Sequence, residues 1–93
     1  MEKGYNSDIS INGDLFHIQT EDWGVESHVL VTRIFKNGAV IKSYKTSYEE
    51  ILKSAPLTHR RQRVREALRI QHSKILDLLQ SGQMFYKMSR IEV

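Results

Sequence analysis

Two Asn-Gly pairs, Asn12-Gly13 and Asn37-Gly38, split the first half of the chain into runs where apolar and polar residues alternate. Asn-Gly suits the centre of a two-residue type I′ hairpin, because both central residues there need positive φ. The pattern predicts strands near 5–11, 14–20, 28–35 and 39–45, with residues 21–27 (including Trp23-Gly24) joining two hairpins. A tight first turn sets Ile11 against Asp14, Ile9 against Phe16 and Ser7 against Ile18. Tyr5, Ile9, Ile11, Phe16 and Ile18 then share one face, and Asn6, Asp8, Ser10, Leu15, His17 and Gln19 the other. In the second hairpin the same counting sets Phe35 against Val40, Arg33 against Lys42 and Val31 against Tyr44. One face holds Val29, Val31, Arg33, Phe35, Val40, Lys42 and Tyr44; the other holds Leu30, Thr32, Ile34, Ala39, Ile41 and Ser43. Both faces are largely apolar, whereas a sheet wet on one side alternates more cleanly. The expectation is cover on both sides, and one helix supplies only one.

The period changes after Ser47. Ser47-Tyr48-Glu49-Glu50 fits a capping box opening a short helical turn through Ile51-Leu52. Pro56 interrupts it. Thr58 is the expected N-cap of a longer helix that runs to about Ser81, with Gly82 as the left-handed residue past its end. Val64, Ala67, Leu68, Gln71, Ile75, Leu78 and Leu79 form its apolar stripe; Arg65, Arg69 and His72 line one flank, and Arg63 and Lys74 the other. Ile70 and Leu76 lie off the stripe on opposite sides. The segment 83–93 begins Gln83-Met84-Phe85-Tyr86-Lys87-Met88, too apolar for a solvated tail; it suits packing over the open sheet face, adding a strand, or touching a partner. The fold class expected is α+β: a four-stranded antiparallel β-meander (5–45), then a short helical turn and a long amphipathic C-terminal helix (47–81), in one domain spanning 1–93.

Composition narrows the classes. A 93-residue chain holds a modest core rather than a core plus a deep walled site. Without cysteine there is no disulfide framework, thiolate zinc site or Cys nucleophile. No apolar run reaches the roughly 20 residues of a membrane span, and no h-region follows Met1-Glu2-Lys3-Gly4, so the expected location is the cytoplasm. The net charge is +3. Its excess is local, with Arg60, Arg61, Arg63, Arg65 and Arg69 crowded at the start of the long helix, where cations oppose the helix dipole.

Motifs for chemistry are sparse. His17, His28, His59 and His72 fall in no metal-ligand spacing. No G-x-S-x-G elbow or glycine-rich phosphate loop occurs, and Glu21-Asp22 read as solvated connector acids. No enzyme, catalytic residue, metal, cofactor, membrane or small-molecule substrate is therefore expected. Two cationic features remain. The arginine-rich helix suits an acidic protein or nucleic-acid phosphates, or else is a solvated flank whose stems cover apolar surface. An Arg33/Lys42 pair beside Phe35 and Tyr44 suits base stacking, or else splays toward acids and solvent.

The runs His17-Ile18-Gln19-Thr20-Glu21-Asp22-Trp23-Gly24, Val31-Thr32-Arg33-Ile34-Phe35-Lys36-Asn37-Gly38 and Lys42-Ser43-Tyr44-Lys45-Thr46-Ser47-Tyr48 carry a resemblance. They resemble a group of small bacterial proteins and N-terminal modules with a QTEDxG … VTxxFxNG … KTSY pattern, for which no activity is established. The likeness covers about residues 5–52 and leaves out the C-terminal helix. It implies a bacterial source and a recurring module, and transfers no catalytic or binding residue.

The surplus of apolar surface makes a non-enzymatic protein–protein interaction module, acting as a homodimer, the leading expectation. Val31, Phe35, Val40, Tyr44, Ile70, Leu76, Phe85 and Tyr86 are the candidate self-association residues. The alternative is a nucleic-acid-binding protein using Arg60, Arg61, Arg63, Arg65 and Arg69 together with Arg33 and Lys42.

Overall fold

The computed structural model describes residues 4–24, 27–53 and 57–82. Strands β1 (Tyr5–Ile11), β2 (Asp14–Asp22), β3 (Val29–Lys36) and β4 (Ala39–Ser47) form one antiparallel sheet in the order β1-β2-β3-β4. Helix α1 (Tyr48–Leu52), a 3-10 turn (Leu57–His59) and helix α2 (Arg60–Gln80) follow. This is the α+β meander-and-helix order that the alternation and the two Asn-Gly pairs predict.

Both hairpin turns take the expected backbone. Asn12 and Gly13 have φ of 52° and 87°, and Asn37 and Gly38 have 54° and 81°. Nothing lies within 4 Å of a Cβ added at Gly38. The cost of Gly38→Ala is therefore conformational alone, and urea unfolding is expected to show a loss of about 1–2 kcal/mol.

The first hairpin keeps the expected register, Ile11↔Asp14 through Tyr5↔Thr20. The second does not. Phe35 faces Val40 as expected, but a β-bulge follows, so Ile34 faces Lys42, Arg33 faces Ser43 and Val31 faces Lys45. An inserted residue moves every later side chain to the opposite face. Lys42 and Tyr44 consequently leave the face of Arg33 and Phe35, and the expected Arg33/Lys42 and Val31/Tyr44 pairs do not exist. Tyr44 instead packs on the helix side against the core, where burial raises the pKa of its phenol, and Lys42 Nζ sits 5.6 Å from the Tyr44 ring.

Ser47 caps α1 as expected, accepting a hydrogen bond from the Glu50 backbone N–H. The start of α2 differs: His59, not Thr58, is the N-cap and makes no side-chain cap bond, because the 3-10 turn already carries the chain into the helix. At the other end Ser81 N–H donates to the Asp77 carbonyl, Gly82 N–H donates to that of Leu79, and Gly82 has φ of 82°. The segment 83–93, with Phe85 and Tyr86, lies outside the described residues.

Helix α2 covers one face of the sheet and divides the core in two. Phe16, Ile18 and Ile34 pack with Ile75 and Leu79 at the hairpin end, joined by partly buried Ile9, Ile11, Tyr44, Leu76 and Leu78. Leu30 packs with Val64 and Leu68 at the other end, joined by Tyr48, Ile51, Leu52 and Ala67. Leu76, expected off the stripe, thus belongs to the core margin, while Ile70 is 51% exposed. His72, expected on a flank, is 5% exposed and sits between the two clusters.

Candidate functional site

His72 organises a buried polar layer between α2 and all four strands. Its Nε2 lies 2.8 Å from Ser7 Oγ of β1, and its Nδ1 2.7 Å from Thr20 Oγ1 of β2. Thr20 Oγ1 is 2.8 Å from Thr32 Oγ1, its direct partner on β3. Gln71 Nε2 donates to Thr32 Oγ1 at 2.9 Å, and Gln71 Oε1 accepts from Thr46 Oγ1 of β4 at 2.7 Å. Tyr5 stacks on the imidazole, with ring centroids 5.6 Å apart. Among the described residues no buried side-chain nitrogen or oxygen lacks a hydrogen-bond partner.

The imidazole is hydrogen-bonded at both nitrogens, to Thr20 through Nδ1 and to Ser7 through Nε2, and either neutral tautomer satisfies the pair by donating at one nitrogen and accepting at the other. A serine, an imidazole and a hydroxyl in line are the residue types of a nucleophile, base and orienting group, but here the imidazole is 5% exposed, between two apolar clusters. Burial lowers the pKa of His72, which keeps the ring neutral. The arrangement locks helix register against the sheet, which is what a fully satisfied buried polar layer does well.

No helix among the described residues lies on the opposite face of the sheet. Glu21 Oε1 accepts from Arg33 Nη2 at 2.9 Å and from Trp23 Nε1 at 3.1 Å, while Gln19 Nε2 donates to Glu21 Oε2 at 2.8 Å. The Arg33 guanidinium lies 5.6 Å from the Trp23 ring and 5.8 Å from that of Phe35. His17 continues the strip, 5.7 Å from Phe35, with Nδ1 donating to Asp8 Oδ1 at 2.8 Å. Held by Glu21 and flanked by two rings, Arg33 stiffens a surface cluster rather than standing as a bare cation. Beside it, Leu15 is 64% and Val40 48% exposed, and Leu15, His17, Gln19, Phe35, Asn37 and Gly38 line a shallow recess.

The expected self-association residues therefore fall in several places. Phe35 and Val40 lie together on the helix-free face. Val31 shares that face but is only 1% exposed, leaving little surface to offer a partner. Tyr44 and Leu76 are on the helix side, and Ile70 is on the outer surface of α2. Leu15 and Trp23 complete the cluster and are not among the candidate residues read from the sequence, whereas Arg33 is a candidate there and turns to an acid, Glu21, as the alternative reading has it. The cue for the bridge is the pairing Gln19↔Arg33 and Glu21↔Val31, which brings Glu21 diagonally beside Arg33.

Arg60, Arg61, Arg63, Arg65 and Arg69 are all exposed. At 100° per residue they do not form one stripe. Arg65 and Arg69 fall on the side of His72, Arg60 and Arg63 on the far side of the buried stripe, and Glu66, Ile70 and Asp77 occupy the crest between. Arg33 and Lys42 sit on opposite faces of the sheet, away from both groups. No helix among the described residues is long and apolar enough to cross a membrane. No protein-family model, no curated protein and no solved structure matches this chain.

Proposed function

We propose that this domain is a non-enzymatic protein–protein interaction module that pairs with a second copy of itself through the helix-free sheet face. The observation that carries this reading is the cluster of Leu15, Phe35 and Val40 beside the Trp23–Arg33–Glu21 bridge, on a face that no described element covers. Aromatic and arginine side chains held rigid next to apolar surface are the composition that interface centres favour, because little conformational entropy remains to be lost on binding. A two-fold interface uses the same patch on both copies, so one cluster suffices. The bacterial origin implied by the QTEDxG … KTSY resemblance and a cytoplasmic setting accord with this reading. Light scattering is expected to give twice the 10.9 kDa chain mass at high protein concentration, in low and high salt alike. Val40→Lys and Leu15→Lys, both at exposed positions, are expected to weaken the dimer by about tenfold or more each, as a buried unpaired charge requires. A monomer at every concentration would overturn the proposal. A dimer that dissolves in salt, or that oligonucleotide displaces, would instead favour the arginines of α2 as the binding element.

A further inference from the structure

The two hairpin turns share a sequence and differ in how firmly the sheet holds them. Each is an Asn-Gly pair with positive φ at both residues, and each joins an edge strand, β1 or β4, to an inner one. Behind Asn12-Gly13 the ladder runs unbroken from Ile11↔Asp14 to Tyr5↔Thr20. Partly buried Ile11 and Ile9 anchor it against the core. Behind Asn37-Gly38 only Lys36↔Ala39 and Phe35↔Val40 pair before the bulge, where Ile41 is the extra residue. Residues 37–41 are all exposed. A short run of pairs beyond a bulge, on an edge strand and without burial, is where a fold opens locally at least cost.

An Asn-Gly pair carries its own reactants. The glycine nitrogen, on giving up its proton, bonds to the asparagine Cγ; the Cγ–Nδ2 bond breaks and ammonia leaves, closing a five-membered imide. Water then opens the imide at either carbonyl, giving aspartate or isoaspartate, and neither oxidant nor reductant is needed. Glycine permits the attack because no Cβ shields its nitrogen. In a type I′ turn that nitrogen points away from the asparagine side chain, so the central peptide must first flip toward the type II′ arrangement. That arrangement suits glycine rather than asparagine at the first central position, so the flip needs slack in the residues that close the turn. Nothing lies within 4 Å of a Cβ built at Gly13 or Gly38, and among the described residues no backbone carbonyl holds either N–H. What restrains the flip is the ladder behind each turn.

We infer that Asn37 is a site of spontaneous deamidation, left reactive by the bulge in β4, whereas the matching pair at Asn12 is protected by its continuous ladder. Isoaspartate carries the chain through its side-chain carbon and so lengthens a turn that has two residues to close Lys36 onto Ala39. Either product places a new carboxylate at the rim of the recess that Asn37 and Gly38 form with Leu15, His17, Gln19 and Phe35. The modification therefore alters the charge and the backbone of the helix-free face at its hairpin end. The reaction needs no second copy of the chain, so it stands or falls apart from the proposed self-association.

The test ages the full chain at physiological temperature in mildly alkaline buffer, folded and in concentrated urea, and follows both sites by mass spectrometry of tryptic peptides. Cleavage after Lys36 separates the peptide that begins at Asn37 from the one that carries Asn12. In the folded chain, conversion at Asn37 is expected to run about fivefold or more faster than at Asn12, with isoaspartate the larger product. In urea the two rates should converge, since no ladder remains. Amide exchange supplies a readout free of the chemistry. The Ala39 N–H, which closes the second turn, is expected to exchange faster than the Asp14 N–H, which closes the first. Equal rates in the folded chain, faster conversion at Asn12, a ratio that persists unchanged in urea, or an Asn37 that converts in urea alone would overturn the assignment.

Discussion

His72→Ala is expected to destabilise the domain by roughly 3–5 kcal/mol, the range for emptying a large ring from a core, because it also strands buried hydroxyls. The ring is 5% exposed and fills the gap between the Phe16–Ile18–Ile34–Ile75–Leu79 cluster and the Leu30–Val64–Leu68 cluster. Its loss removes the ring-nitrogen partners of Thr20 and Ser7 and the face on which Tyr5 stacks. Urea unfolding of His72→Ala, Thr32→Val and the double variant separates these effects. Thr32→Val alone is expected to cost about 1–3 kcal/mol, through the unpaired Gln71 amide and Thr20 hydroxyl. The double variant should cost clearly less than the sum, because both residues belong to one connected chain. Strict additivity would mean that the polar layer is a set of independent pairs.

Much of this architecture is legible in the sequence, and the failures have specific physical causes. The Asn-Gly turns declare both hairpins, since few residue pairs take two successive positive φ values at low cost. Gly82 and Ser47 mark helix ends by the same kind of local logic. The bulge in β4 is not declared: Val40 and Ile41 are both apolar and both exposed, so alternation gives no cue to where the phase changes. Strict alternation therefore puts everything after it on β4 on the wrong face, and the Arg33/Lys42 platform it predicts does not form. His72 shows the opposite problem. Leu68, His72, Ile75 and Leu79 stand at spacings of four, three and four, an inward-facing pattern with a polar residue in one slot. Reading the histidine as polar placed it on a flank, whereas the threonines and serine waiting on the strands make that slot favourable. Its partners Thr20 and Ser7 lie 52 and 65 residues away in sequence, out of reach of any local pattern.

Acidification is expected to unfold the domain through the same residue. Burial lowers the folded-state pKa of His72 from its ordinary 6.5. The sign follows from proton counting. Between 6.5 and the lower folded value, the unfolded chain carries a proton on this imidazole that the folded chain does not, so stability falls as pH falls. Above 6.5 the contribution is fully present, and below the folded value no further loss comes from this group. The slope in that window is at most about 1.4 kcal/mol per pH unit. The fold resists the charge because the ring is buried and its hydrogen-bond partners are neutral. An imidazolium donates from both nitrogens, so Thr20 and Ser7 would both have to accept, and neither brings a carboxylate to offset the charge. Unfolding midpoints of wild type and His72→Gln, measured in steps from pH 7.5 to pH 4.5, test this. The wild-type midpoint should fall more steeply than that of the variant just below pH 6.5, since glutamine has no proton to gain. Parallel curves across that window would show that another group governs the acid limb, and that the His72 layer tolerates its charge by letting water in.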